Sequence, residues 1–297
     1  MWLSEQILFL LCRALYKTEV AHTSEMKNAL RNMDDCDAYR RKEISRIVDA
    51  VKRYSIPIDR KTILDFGCND GAISAEYLKH GAGKVIGIDI DGRAIQRAKA
   101  LYDDERLTFV QSNVNSIPLD DQSVDSVISN AVFEHVSQPS AVMKEIHRIL
   151  TPAGKVLIGT WSWFHPFAPH LWSVMPVPWA HVFFSERTLL RVCRRVYHSS
   201  WYTPNMHDYD KDGKRFPDRY THQTIPTDYL NKFVIKDFEQ VFRECGFTCE
   251  IHYVPFGSRY ARWTRVLLHV PWIRDFVAGF VWFVLTKSTK QALPKYA

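Results

Sequence analysis

The chain has 297 residues, 46% hydrophobic and 24% charged, a mixture that excludes a collagen-like repeat, a low-complexity polymer and a disordered tail. Lys and Arg total 39 against 33 for Asp and Glu, a net charge of +6; this does not demand a nucleic-acid partner, but it suits an anionic substrate or an anionic membrane surface. Aromatic residues reach 13%, with nine Trp, so the placement of the rings becomes a question in itself.

Residues 1–60 read as helical, with an amphipathic stretch over 37–54 that Pro57 stops. The apolar run at the N-terminus carries Glu5 and is followed by Arg13 and Lys17. It has no basic leader and no small-residue cleavage site, so no signal peptide is expected. From residue 61 short apolar runs alternate with helical segments. Strands are predicted at 62–65, 84–89, 107–111, 124–129 and 154–160, and helices at 72–79, 93–102 and 140–150. Such alternation predicts an α/β fold, a doubly wound parallel sheet with helices on both faces.

Residues 161–235 break that rhythm. Sixteen of these 75 residues are aromatic, and they hold six of the twelve His and seven of the fourteen Pro. The prolines argue against regular sheet and the rings against disorder. Regularity returns with a helix over 236–245, a stop at Gly246 and a strand over 248–254. The stretch 264–286 is apolar but interrupted by Arg265, His269, Pro271, Arg274 and Asp275, so no transmembrane helix is expected. The six cysteines (12, 36, 68, 193, 245 and 249) form no C-x-x-C pair. They read as buried thiols in a reducing cytoplasm rather than as a disulfide framework or a zinc site.

The sharpest motif is Ile63-Leu64-Asp65-Phe66-Gly67-Cys68-Asn69-Asp70-Gly71, a strand entering a glycine-bearing turn and then a helix. Glycines let the backbone approach a ligand, and the helix N-terminus offers unpaired N–H groups. A second strand, Val85-Ile86-Gly87-Ile88-Asp89, ends in an acid 18 residues after Gly71, where nucleotide-binding sheets place a carboxylate for ribose hydroxyls. The G-x-G-x-x-G spacing of a nicotinamide dehydrogenase is absent, and the acidic loop from Asp65 to Asp70 would crowd a pyrophosphate.

On these residues the chain resembles the class I S-adenosylmethionine-dependent methyltransferases, most of all the broad branch that includes the ubiquinone and menaquinone biosynthesis methyltransferases. The resemblance spans 63–160 and resumes at Leu230-Asn231, Phe238-Glu239 and Gly246-Phe247. It implies a Rossmann-like, mostly parallel seven-stranded sheet whose last two strands form a hairpin. It also implies S-adenosylmethionine as cofactor. Asp65, Gly67, Cys68, Asn69 and Gly71 would line its methionine end, Asp89 would hold the ribose, and Ile90 would lie against the adenine. Asn113 and Val114 would read the adenine edge, and Asn130 would contribute backbone near the sulfonium. Two positions depart from the usual pattern. Asn69 replaces a glycine, which Asn tolerates because it enters the left-handed region readily. Asn113 replaces an Asp, and its side-chain oxygen still accepts from an amine.

Methyl transfer requires alignment and exclusion of water, and a base only if the acceptor arrives protonated. The candidates are His135, in Phe133-Glu134-His135-Val136, and His165 and His170 beyond the fifth strand; each also reads as an ordinary packing residue. Some quinone-pathway members of the resembled branch hold a divalent metal with extra carboxylates beside such a Glu-His; Ala131 stands three before Glu134 and does not reproduce that arrangement, so the resemblance implies no metal. The domain plan is a helical extension at 1–60, a cofactor-binding core at 61–160, an aromatic lid at 161–235 and a C-terminal completion at 236–297. Trp161, Trp163, Phe164, Phe167, Trp172 and Trp179 either wall an acceptor or build the lid's own core. Basic stretches at 185–198, with Arg187, Arg191, Arg194 and Arg195, and at 257–280 suit a lipid phosphate or an anionic membrane surface. For 257–280, packing on the lid explains the pattern equally well. The expected function is methylation of a small or lipid-linked acceptor at O, N or C, in the cytoplasm or peripherally on a membrane. An RNA or protein methyltransferase, although no nucleic-acid module is visible, and a non-catalytic scaffold of the same fold are the alternatives.

Overall fold

Apolar runs without alternation form strands covered on both faces, and residues 63–66 and 85–88 are buried throughout. A computed structural model of the chain describes residues 3–18, 33–112, 116–171, 173–205, 208–209, 214–217, 220–257 and 261–288, with the backbone alone for 33–38. Its strands are β1 (Thr62–Phe66), β2 (Lys84–Asp89), β3 (Leu107–Gln111), β4 (Val124–Asn130), β5 (Leu150–Thr160), β6 (Phe247–Pro255) and β7 (Ala278–Lys287). They form one sheet in the order β3-β2-β1-β4-β5-β7-β6. The first five pair in parallel, and β7 runs antiparallel between β5 and β6. This is the doubly wound, mostly parallel seven-stranded sheet expected. β7 takes in the end of the basic 257–280 piece.

The helices are α1 (Leu3–Leu15), α2 (Met33–Arg53), α3 (Ala72–Lys79), α4 (Gly92–Leu101), α5 (Pro139–Ile149), α6 (Ala180–Phe183), α7 (Glu186–Tyr197), α8 (Ile235–Glu244), α9 (Ala261–Leu267) and α10 (Arg274–Val277). On one face of the sheet α5 and α8 bury Ile146, Phe238 and Phe242 against Val127, Val156 and Phe283. On the other face α2 and α3 bury Ile47, Val51 and Tyr77 against Ile63, Val85 and Leu157. The N-terminal extension therefore divides. α2 belongs to the sheet, whereas Leu8 and Cys12 of α1 join Leu189, Val192, Cys193 and Val196 of α7 in a separate core.

That separate core alters the reading of the basic stretch at 185–198. Arg191 pairs with Glu5 at 2.9 Å. Arg195 donates to Gln6 at 2.8 Å and lies 3.6 Å over the Phe9 ring. Two of the four arginines of the expected basic face are thus engaged with α1. Cys12, Cys68 and Cys193 are buried free thiols, and Cys245 and Cys249 are free and partly buried. Among the described residues, no helix is long and apolar enough to cross a membrane.

β1 leads into a turn in which both glycines have positive φ, 82° at Gly67 and 81° at Gly71. A Cβ on Gly67 would lie 2.3 Å from Val132 Cγ2, and one on Gly71 would lie 2.4 Å from Phe109 Cζ. Steric exclusion and left-handed backbone together restrict both positions to glycine. Gly71→Ala is expected to lower stability by roughly 2–4 kcal/mol, the sum of overpacking and left-handed strain. A denaturant midpoint unchanged from wild type would disprove this packing role.

Candidate functional site

The strand order reverses beside β1, with β2 on one side and β4 on the other. At the carboxyl ends of such strands the diverging connections leave a crevice, and here it is a cavity of about 610 Å³. Gly67, Cys68, Asn69, Asp89, Ile90 and Asn130 line it, six of the ten positions expected to hold the cofactor.

The turn after β1 is tied to β2 by Gly67 and Cys68, whose N–H groups both donate to the Ile88 carbonyl at 2.8 and 2.9 Å. Asn69 takes the left-handed conformation, φ 49°, as the sequence requires of a residue in the place of a glycine. Its N–H donates to Asp89 Oδ2 at 2.9 Å, and the Asp91 N–H donates to Oδ1 at the same distance. The Asp89 carboxylate is therefore held by two backbone donors, and its other lone pairs remain for hydroxyl groups. Ile90 beside it is 67% exposed, an apolar surface at the cavity that a flat ring would cover. Burial, reinforced by Asp65 and Asp89, drives the Cys68 thiol upward, so it contributes a neutral surface.

Asp65 and Gly71 are not at the cavity. Asp65 is only 4% exposed and accepts a hydrogen bond from Ser74 in the first turn of α3; its work is to fasten that helix under the turn. A Cβ on Gly71 would meet Phe109 and Ala98. Asn113 and Val114 lie outside the described residues.

One cavity wall went undetected in the sequence. Arg40, Glu43, Ile44 and Ile47 of α2 also line the cavity, and Arg40 Nη2 bridges both oxygens of Asp70 at 2.5 and 2.6 Å. Only the amphipathic pattern of α2 signalled an inward face, and it could not say which turn α2 would meet. Glu43, Asp70, Asp89 and Asp91 put four carboxylates on the lining against Arg40. An excess of negative charge attracts a cationic ligand and repels a pyrophosphate.

Residues 64–158 match the sequence profile of the family described as "Methyltransferase domain". Residues 64–158 are thus similar to a methyltransferase domain. An uncharacterized methyltransferase of Mycolicibacterium vanbaalenii is 33% identical over 109 residues, covering 37% of this chain and 42% of the relative. One of Mycobacteroides abscessus is 32% identical over 113 residues, covering 37% of this chain and 43% of its own length. The chain thus spans less than half of each of these two relatives. The PH0226 protein of Pyrococcus horikoshii has a similar structure, with TM-score 0.51 and 17% identity over 84% of this chain and 91% of its own. A Haemonchus contortus phosphoethanolamine N-methyltransferase 2 also scores 0.51, at 16% identity over 82% of this chain and 53% of its own.

Of the three candidate histidines in this domain and its insertion, His135 lines the cavity. His170 packs edge-on against it, ring centroids 5.1 Å apart. His165 is elsewhere: its Nδ1 accepts from the Phe167 N–H at 3.1 Å, and it is walled by Trp161, Phe167 and Phe256. Burial drives it down to about 3 and His170 to about 4, so both rings are neutral. His165 is a packing residue, because the proline-rich turn after β5 folds it under the insertion.

The aromatic residues of 161–235 also pack among themselves. Phe164 stacks on Phe276 at 4.4 Å, Trp163 meets His181, Trp161 meets Phe280, and Trp179 donates to the Phe276 carbonyl. None of Trp161, Trp163, Phe164, Phe167 or Trp179 lines the cavity, and Trp172 lies outside the described residues. Of the two readings of these rings, the contacts fit a lid core, which also holds Phe276 and Phe280.

The buried Asp65 makes the fold pH-sensitive. Burial first, then the charge of Asp89, raises its carboxyl to about 7 from an ordinary 3.8. The folded state therefore favours the protonated form, and stability falls as pH rises between those values, by up to roughly 4 kcal/mol. Asp65→Asn is expected to flatten this slope. Chemical denaturation at pH 5 and pH 8 checks it, and equal slopes for both proteins would contradict the assignment.

Proposed function

We propose that this chain methylates a small or lipid-linked acceptor. The observation that carries the reading is the Asp89 carboxylate, fixed by two backbone N–H groups in an acidic cavity that Asn130, Ala131, Val132 and His135 also line. When bound, S-adenosylmethionine supplies a methyl group on a positively charged sulfur, open to in-line displacement. Asp89 accepts the ribose hydroxyls, Ile90 covers one face of the adenine, and the acidic lining favours the cationic end. Asn130, Ala131 and Val132 form the floor at which the acceptor must approach. Ala131 is held in the left-handed conformation, φ 56°, by its N–H bond to the Gly159 carbonyl. The chain's contribution is alignment and exclusion of water.

Calorimetric titration tests the first step. Saturable binding of S-adenosylmethionine is expected, with affinity falling at least tenfold in Asp89→Ala, about 1.4 kcal/mol or more. No binding, or binding indifferent to that substitution, rejects the reading.

The surface of 257–280 favours a lipid-linked acceptor. Trp263, Val266 and Trp272 are 72%, 63% and 84% exposed beside exposed Arg262 and Arg265. Phe256, Phe276 and Phe280 face inward onto the insertion, so packing and presentation divide the stretch between them. Exposed Trp among basic residues suits the boundary of an anionic bilayer. Flotation with vesicles containing anionic lipid is expected to recover the protein, and vesicles of neutral lipid or Trp263→Ala/Trp272→Ala are expected to recover severalfold less. Equal recovery throughout removes the surface reading.

A further inference from the structure

The carboxyl ends of β4 and β5 and the start of the insertion bring Glu134, His135 and His170 together. One ligand atom from each lies within 4.8 Å of the others. The adjacent pair follows β4, and His170, which sits in the left-handed conformation at φ 54°, arrives from beyond β5. The absence of a carboxylate at Ala131 therefore does not decide whether a metal set exists, because the third group is distant in sequence.

Each of the first two side chains is oriented by a neighbour that leaves one ligating atom unused. Glu134 is 5% exposed, and its Oε2 accepts from Thr160 Oγ1 at 2.7 Å. Its Oε1 is sealed from solvent with no hydrogen-bond partner. A buried carboxylate oxygen left without a partner is costly, and a cation removes that cost. His135 Nδ1 lies 2.6 Å from the Tyr229 carbonyl oxygen. A carbonyl only accepts, so Nδ1 carries the proton and Nε2 the lone pair. Hydrogen bonds of this kind, donated by a histidine's non-ligating nitrogen or accepted by a carboxylate's non-ligating oxygen, are what orient metal ligands in proteins.

We propose that Glu134, His135 and His170 form a two-histidine, one-carboxylate site for a divalent first-row transition-metal ion. The donor set suits zinc or a facially coordinated iron, cobalt or manganese ion. Bonds of about 2 Å bring tetrahedral ligand atoms to about 3.3 Å from one another, so ligand atoms within 4.8 Å would draw together on a bound ion. Three protein ligands leave a coordination position open, and His135 is the member that lines the cavity. A hydroxyl-bearing acceptor would bind there through oxygen, next to the transferred methyl. This last role rests on the methyl-transfer reading, whereas metal binding does not.

The full chain, dialysed against chelator, is titrated with Co²⁺ and followed by its visible d–d absorption, then competed with Zn²⁺. One equivalent is expected. Glu134→Gln and His170→Ala are each expected to weaken binding at least tenfold. Thr160→Val keeps all three ligands and is expected to weaken it about tenfold. Circular dichroism and S-adenosylmethionine binding in the presence of chelator show that the variants are folded. Binding well below one equivalent, or affinity unchanged in both Glu134→Gln and His170→Ala, overturns the site. Metal binding without cofactor binding overturns the methyl-transfer reading alone.

Discussion

Everything at the cavity depends on the turn that leaves β1. The chain must reverse there with no space for a side chain at Gly67 or Gly71, because Val132 on one side and Phe109 on the other occupy the positions a Cβ would take. That tight passage brings the Asn69 N–H onto Asp89 and the Gly67 and Cys68 N–H groups onto Ile88. A wider turn would sever β2 from its anchoring and leave the Asp89 carboxylate to rotate. The geometry of the site is thus a consequence of close packing between β1, β2 and the segment following β4, and not of any one ligating side chain.

The buried acids have different tasks. Asp65 fastens α3 beneath the turn through Ser74. Glu134 is bound by Thr160 on the neighbouring strand β5, while its main-chain carbonyl accepts from the Asn231 N–H ahead of α8. Burial raises both carboxyls to about 7, and a fold tolerates such groups only where hydrogen bonds or a bound cation compensate. Asp89, by contrast, stays at the cavity surface, where its charge is available to a ligand.

The insertion gives the chain its unusual composition; some of its rings pack on Phe276 and Phe280, and others build a second core. α1 completes that core, so the first helix and residues 174–202 form one unit. The arginines of α7 partly serve that union. What remains outward is the α9 and α10 stretch, with two tryptophans in solvent.

Residue pattern alone was enough to identify the sheet, its parallel pairing up to β5, and the turn with Asp89, since strand runs buried on both faces and a left-handed turn each restrict residue type locally. Asn69 illustrates this, because its conformation followed from its position in the motif. Three features needed the tertiary structure. Asp65 and Gly71 sit in the motif yet support it from beneath, a distinction that depends on which side of the turn faces the crevice. The α2 wall arises from helix packing against a distant strand. His165 and His170 have the same composition around them, but the path of a proline-rich loop sends one into the lid core and the other against Glu134 and His135. Local sequence encodes backbone preference and burial; only the folded chain brings groups distant in sequence within reach of one another.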